Sequence, residues 1–222
     1  MARQIIAALL LVAGFAVFVG LGIWQLQRLE WKQGIIAEIE AQIAAAPGPL
    51  PAAPDPEADK YRPVEIAGAF GPQELLVLVS SRDYGPGFRV IAPFITGEGR
   101  RIMVDRGFIP TEAREAARSV GQAEIAGNLH WPDERNGSTP EDDVAGNWWY
   151  ARDVDKMAAV LGAEPVLVIA ASQTDPAILP MPVDTSAVFN RHLEYAMTWF
   201  LFAATWVVMT GFALWRIRRR NG

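Results

Sequence analysis

Two long apolar stretches bracket the chain, and between them the pattern breaks into short runs punctuated by glycine and proline. From Ile5 to Ile23 there is neither a charge nor a proline, and Tyr195 to Trp215 is likewise uncharged. At about 1.5 Å of rise per residue each stretch covers roughly 30 Å of helix, the hydrocarbon thickness of a bilayer. The pattern therefore predicts membrane-spanning helices over residues 5–26 and 191–215. The first stretch exceeds the usual signal-peptide core of roughly 7–15 residues. It runs on into Trp24-Gln25-Leu26-Gln27-Arg28-Leu29 without a small-x-small cleavage site, which predicts an uncleaved anchor.

Helical spacing persists past the first stretch, where Leu29, Ile36 and Ile43 recur with Ile39 between them. This predicts an amphipathic stalk over 27–46. Pro47 ends it, and the prolines from Pro47 to Pro56 read as an extended linker over 47–60. From Tyr61 the period changes to that of strands, predicted at Arg62–Ala67, Glu74–Ser80, Phe88–Ile95, Arg101–Arg106, Glu124–His130 and Pro165–Ala170. Short connections between the early strands favour antiparallel pairing. Two short helices are predicted, Thr111–Arg118 capped by Thr111 and Asp153–Leu161 ended by Gly162. Thr174 to Val188, with Pro176, Pro180 and Pro182, is irregular and returns the chain to the membrane. The fold class is thus an α+β membrane protein, with two transmembrane helices flanking a mainly antiparallel β domain over 61–190 that carries two short helices.

Basic residues set the expected orientation. Arg216, Arg218, Arg219 and Arg220 follow the second span and Arg3 precedes the first, so both termini, 1–4 and 216–222, are expected in the cytoplasm. The central domain is then exported, to the periplasm of an inner-membrane protein. A net charge of −5 argues against a nucleic-acid partner. With no cysteine, the domain has neither disulfides nor thiolate metal sites.

Two histidines leave little for catalysis. His130, beside Trp131, reads as an edge histidine, with a general base as the alternative. The carboxylates at Asp133-Glu134 and Glu141-Asp142-Asp143 lack the spacing of a calcium loop and read as a solvated loop. No hydrolase constellation and no phosphate-binding glycine motif is present.

The second span carries more. From His192, helical steps of three and four lead to Tyr195, Trp199, Phe202 and Trp206. An imidazole followed by flat aromatic rings suits a heme held edge-on, with Arg191, Arg28 and Lys32 near its propionates. The same stripe equally suits packing against the first span, where Ala13, Ala16 and Gly20 offer a small-residue face. Spacing alone leaves both readings open.

Five segments in order bear on the choice: Gly22-Ile23-Trp24-Gln25-Leu26-Gln27-Arg28; Tyr61-Arg62-Pro63-Val64 with Gly68-Ala69-Phe70; Val104-Asp105-Arg106-Gly107-Phe108-Ile109-Pro110; Thr139-Pro140 through Asn147-Trp148-Trp149-Tyr150; and Asn190-Arg191-His192-Leu193-Glu194-Tyr195-Ala196-Met197-Thr198-Trp199. Together they resemble the surfeit locus protein 1 family, membrane-bound cytochrome c oxidase assembly factors, over essentially the whole chain. The resemblance implies a non-enzymatic role: binding heme a and assisting its insertion into the large catalytic subunit of a heme-copper oxidase, with heme a synthase as a further candidate partner. It implies His192 as axial iron ligand with Trp199 beside the heme, and the helical spacing adds Tyr195 and Arg191 to the expected heme-binding residues. A heme-free scaffold for the oxidase subunit is the alternative. Arg106-Gly107 has two readings, a propionate or partner contact and an internal pair at a tight turn.

Overall fold

The computed structural model describes residues 2–81, 83–186 and 188–220, so Arg82, Ala187 and the last two residues of the expected tail lie outside the described residues. Two units emerge, residues 39–184 and the pair formed by 1–38 with 185–222.

The larger unit is a β domain. Its strands are β1 (Pro63–Phe70), β2 (Leu75–Ser81), β3 (Gly85–Thr96), β4 (Arg101–Pro110), β5 (Gly121–Leu129) and β6 (Leu167–Ala170). They follow the order β1-β5-β6-β4-β3-β2, and a further β1–β3 pairing closes five of them into a barrel. Closure is possible because β3 is long: its first half pairs with β2, and Phe94–Thr96 then pair with Gly68–Phe70 of β1. At that corner a Cβ on Gly68 would lie 2.1 Å from the Ile95 carbonyl oxygen, so only glycine allows the strands to approach. Pairing is antiparallel except for β4 with β6. The many residues between those two strands, including a helix, supply the crossover that a parallel pair needs.

Val64, Ile66, Phe94, Ile102, Val104, Ile125 and Val168 fill the barrel. Helix α2 (Val154–Leu161) covers the outer face, packing Met157 and Leu161 on Leu75, Ile91, Met103, Leu167 and the fully buried Trp149. Covered on both faces, β4 is buried along nearly its whole length and β6 reads as a continuous apolar run. Asp153 caps α2 by accepting from the Lys156 amide at 3.2 Å, and Gly162 ends it in the left-handed conformation, φ +59°.

The other expected short helix does not form. Thr111–Ala113 is a single 3-10 turn, and Thr111 donates its hydroxyl to Pro86 rather than capping. The carbonyls of Ala113 and Arg114, which a helix would offer to the amides four residues on, accept instead from the Arg118 guanidinium. Among the described residues between β1 and β6 there is thus one α-helix, α2, where two were expected. β4 also extends beyond the expected end at Arg106, through a bulge at which two residues, Arg106 and Gly107, oppose Val90.

The residues read as linker are held against the barrel. Gly48 bridges to Val64, Leu50 packs on the core, and Arg100 donates to the Pro51 carbonyl at 2.6 Å.

The smaller unit is built from α1 (Ala2–Ile43), whose first 37 residues lie in it, and α3 (His192–Arg220). Both helices are long and apolar enough to cross a membrane, and most of their large apolar side chains are exposed. That is consistent with a membrane protein.

Candidate functional site

α1 and α3 pack as an antiparallel pair whose contacts advance by seven residues on both helices: Gln25 with His192, Phe18 with Trp199, Leu11 with Trp206. The Phe18 ring stacks on Trp199 with centroids 6.1 Å apart and 23° between planes, and meets Trp206 edge-on at 6.1 Å. Trp206 Nε1 donates to the Leu11 carbonyl at 3.1 Å. Its indole lies over Gly14, where a Cβ would come within 2.4 Å of the ring, and Phe200 lies over Gly22 in the same way. The small residues that let the helices approach on α1 are therefore Gly14 and Gly22. The expected Ala13, Ala16 and Gly20 are exposed.

On α3 the seam runs His192, Ala196, Trp199, Ala203, Trp206. Ala196 and Ala203 are 1% and 3% exposed, while Tyr195 is 55% exposed and Phe202 sits at the seam edge, touching Phe18 and Trp199. Steps of three and four fit both this series and the one through Tyr195 and Phe202. Small side chains bring the axes close, so the interface takes the alanines and turns the bulkier residues outward.

At the end of the seam the Gln25 side-chain carbonyl oxygen lies 2.7 Å from His192 Nδ1. An oxygen acceptor there puts the ring proton on Nδ1 and leaves a lone pair on Nε2, the state of imidazole that binds a metal. In its donor chemistry His192 fits an axial ligand to heme iron. The expected wall fits less well, because Trp199 already has Phe18 against it. Of the expected propionate partners, Arg191 is paired with the exposed Glu194 at 2.6 Å, and Arg28 lies over Trp31, 3.8 Å from the ring centroid. Gln25 is the residue that reasoning from α3 alone passes over. Its signal was an amide seven residues beyond Phe18 and fourteen beyond Leu11, near the end of the apolar run.

The β domain uses its charges differently. Asp105 is 0% exposed and accepts from Arg89 Nε at 2.6 Å, from Arg152 at 3.1 Å and from the Gly107 amide at 3.1 Å. Arg152 also binds Glu134. Burial alone would push Glu134 up, but the Arg152 guanidinium holds it below the usual carboxylate range. Asp142 is buried between Arg135 and Lys156, at 2.5 and 2.6 Å. Two of these carboxylates, Glu134 and Asp142, are thus held in ion pairs, while Asp133, Glu141 and Asp143 are exposed as expected of a solvated loop.

Arg106 is 2% exposed. It donates to the Ser119 carbonyl at 2.9 Å and to Thr174, pairs with Asp175 at 3.8 Å, and lies over the Phe70 ring. The propionate reading of Arg106 is therefore corrected: its donors are spent inside the domain. Gly107 has φ +116°, and a Cβ there would meet the Leu179 carbonyl oxygen at 2.2 Å. Its freedom lets residues 178–180 pair with Phe108.

His130 is half-buried and stacks on Tyr61. Burial, with Arg152 and Lys60 nearby, pulls its pKa down to about 4. Its Nδ1 is buried without a hydrogen-bond partner. Among the described residues no three acidic or histidine side chains are grouped to hold a metal ion.

With this geometry in hand, the chain can be set beside known proteins. A family model described as SURF1 family matches residues 12–204. Surfeit locus protein 1 of Mus musculus is 34% identical over 210 residues, covering 84% of this chain and 69% of the relative. The Homo sapiens protein of that name is 34% identical over 211 residues, covering 84% and 70%. A SURF1-like protein of Monosiga brevicollis is 33% identical over 223 residues, covering 91% and 84%. The match takes in the whole barrel and part of each apolar helix that flanks it, and the chain belongs to the SURF1 family.

Proposed function

We propose that this protein is a non-enzymatic assembly factor for a heme-copper terminal oxidase, which binds heme a through His192 and assists its insertion into the large catalytic subunit. The observation that carries this reading is the His192–Gln25 contact at 2.7 Å, a polar pair at the end of an otherwise apolar seam. Polar side chains in such segments are costly and mark function. The cargo supplies iron, whose axial position accepts the imidazole lone pair. A single neutral imidazole makes a bond that can be given up, which suits a carrier. Tyr195, exposed one step from the seam, and Arg191 are the side chains nearest in sequence for the rest of the porphyrin. The helices cross the inner membrane with both termini in the cytoplasm, as the arginines at the C-terminal end of α3 favour, and the β domain lies in the periplasm. Heme a synthase, as donor, and the oxidase subunit, as acceptor, are the partners of this scheme.

Protein purified from cells that make heme a is expected to carry a heme absorption band that His192→Ala abolishes. Full occupancy in the alanine variant would reject the ligand. The second reading, a heme-free scaffold, draws on the Phe18–Trp199 stack, which makes the aromatic stripe a helix interface. It expects equal co-purification of the oxidase subunit with wild-type and His192→Ala protein in cells lacking heme a.

A further inference from the structure

The contact between Gln25 and His192 does more than join two helices. We infer that Gln25 is a positioning residue for heme: its carbonyl oxygen fixes the His192 tautomer that leaves Nε2 free for iron, and its neutrality keeps that bond weak enough to release the cargo. This rests on the heme reading above.

A glutamine amide presents either its oxygen or its NH2 group to an imidazole. If the NH2 group faced Nδ1, the ring proton would move to Nε2 and block coordination. The structure places Oε1 toward Nδ1, at 2.7 Å, so the ring is held in the ligating form before cargo arrives. Gln25 is itself placed by the seam, one heptad from Phe18 on the same face of α1, and both partners are half-buried at the helix interface. Histidine ligands of metals commonly donate their second N–H to a carboxylate or a carbonyl, and the choice tunes the ligand. A carboxylate would pull the Nδ1 proton and make the imidazole a stronger donor; an amide oxygen is neutral and does so less. On release the Nε2–iron bond breaks, the electron pair stays on Nε2, and no proton moves.

The test uses full-length protein purified from cells that make heme a, and apoprotein titrated with hemin, with wild type, Gln25→Leu, Gln25→Glu and His192→Ala side by side. The readouts are the heme dissociation rate, the Soret position and the midpoint potential of the bound heme. Gln25→Leu is expected to weaken binding by roughly 10–100-fold, the usual effect of losing such a partner. Gln25→Glu is expected to keep or strengthen binding, slow dissociation and lower the midpoint potential, a signature that loosened helix packing does not produce. If both Gln25 variants match wild type in rate, spectrum and potential while His192→Ala loses heme, Gln25 has no such role and the ligand stands. If His192→Ala keeps its heme, the ligand reading falls, and the role of Gln25 falls with it.

Discussion

The barrel and the helix pair spend polar groups in opposite ways. In the barrel, buried charge is abundant and accounted for: Asp105 has two guanidinium partners, and Arg106 donates to Thr174 and the Ser119 carbonyl and pairs with Asp175. Along the helix seam the described side-chain hydrogen bonds are His192 to Gln25 and Trp206 to the Leu11 carbonyl. A buried charge in the first setting says only that the core is satisfied. A polar pair in the second has a whole apolar seam as its background, so it carries information about function. The difference teaches that residue type alone does not rank candidate sites; the density of polar partners around it does.

The sharpest way to break this comparison is Asp105→Ala. It would leave Arg89 and Arg152 buried without their shared carboxylate, and should cost about 3–5 kcal/mol of domain stability. Denaturant unfolding of the detergent-solubilised chain, followed by tryptophan emission, measures it. A loss no larger than that of Arg191→Ala, whose pair with Glu194 is exposed to solvent, would mean the barrel's charges are not structural.

A smaller effect concerns His130. Its pKa is about 4 in the folded domain against 6.5 for the free side chain, so between these values the unfolded chain binds more protons. Stability is therefore fully present above pH 6.5 and is lost as pH falls toward 4. The carboxylates with lowered values, such as Glu134, add their own loss only at and below about their ordinary value of 4.5. From pH 6.5 to 4.5 the slope of melting temperature should flatten in His130→Phe, which keeps a ring against Tyr61. An unchanged slope would remove the histidine from the account.

The smallest effect is expected in the helix pair. Trp206→Phe deletes the bond to Leu11 and should cost about 0.6 kcal/mol, the usual worth of an interhelical hydrogen bond in a membrane. Measured in reconstituted protein, a loss of several kcal/mol would show that the seam is as polar in its energetics as the barrel.

Local features were legible in the sequence because their causes are local. The two apolar helices follow from uninterrupted hydrophobic runs, and α2 from Asp153 at one end and Gly162 at the other. Barrel closure was not legible, since Gly68 meets Ile95 only after the chain has folded back on itself. Nor was the full length of β4, where Gly107 looks like a stop but serves a bulge. The helix expected at Thr111 does not form for a reason that propensity does not show: the Arg118 guanidinium competes for the carbonyls of Ala113 and Arg114. In the helix pair, His192 and Trp199 stand out by type, but the seam's turn toward Ala196 and Ala203 and the place of Gln25 need the partner helix.

One further consequence follows from residues 174–181. Thr174 and Asp175 hold Arg106, Ile178 is buried, Leu179 exchanges backbone bonds with Phe108 at 2.7 and 2.8 Å, and the Met181 carbonyl accepts from Arg89 at 2.7 Å. The barrel is therefore sealed by the stretch made just before α3. During synthesis the β domain waits, with two arginines lacking their final acceptors, until the chain has almost reached α3. Completion of the domain and synthesis of α3 are successive moments of one event, and a chain stalled ahead of residue 174 forfeits both.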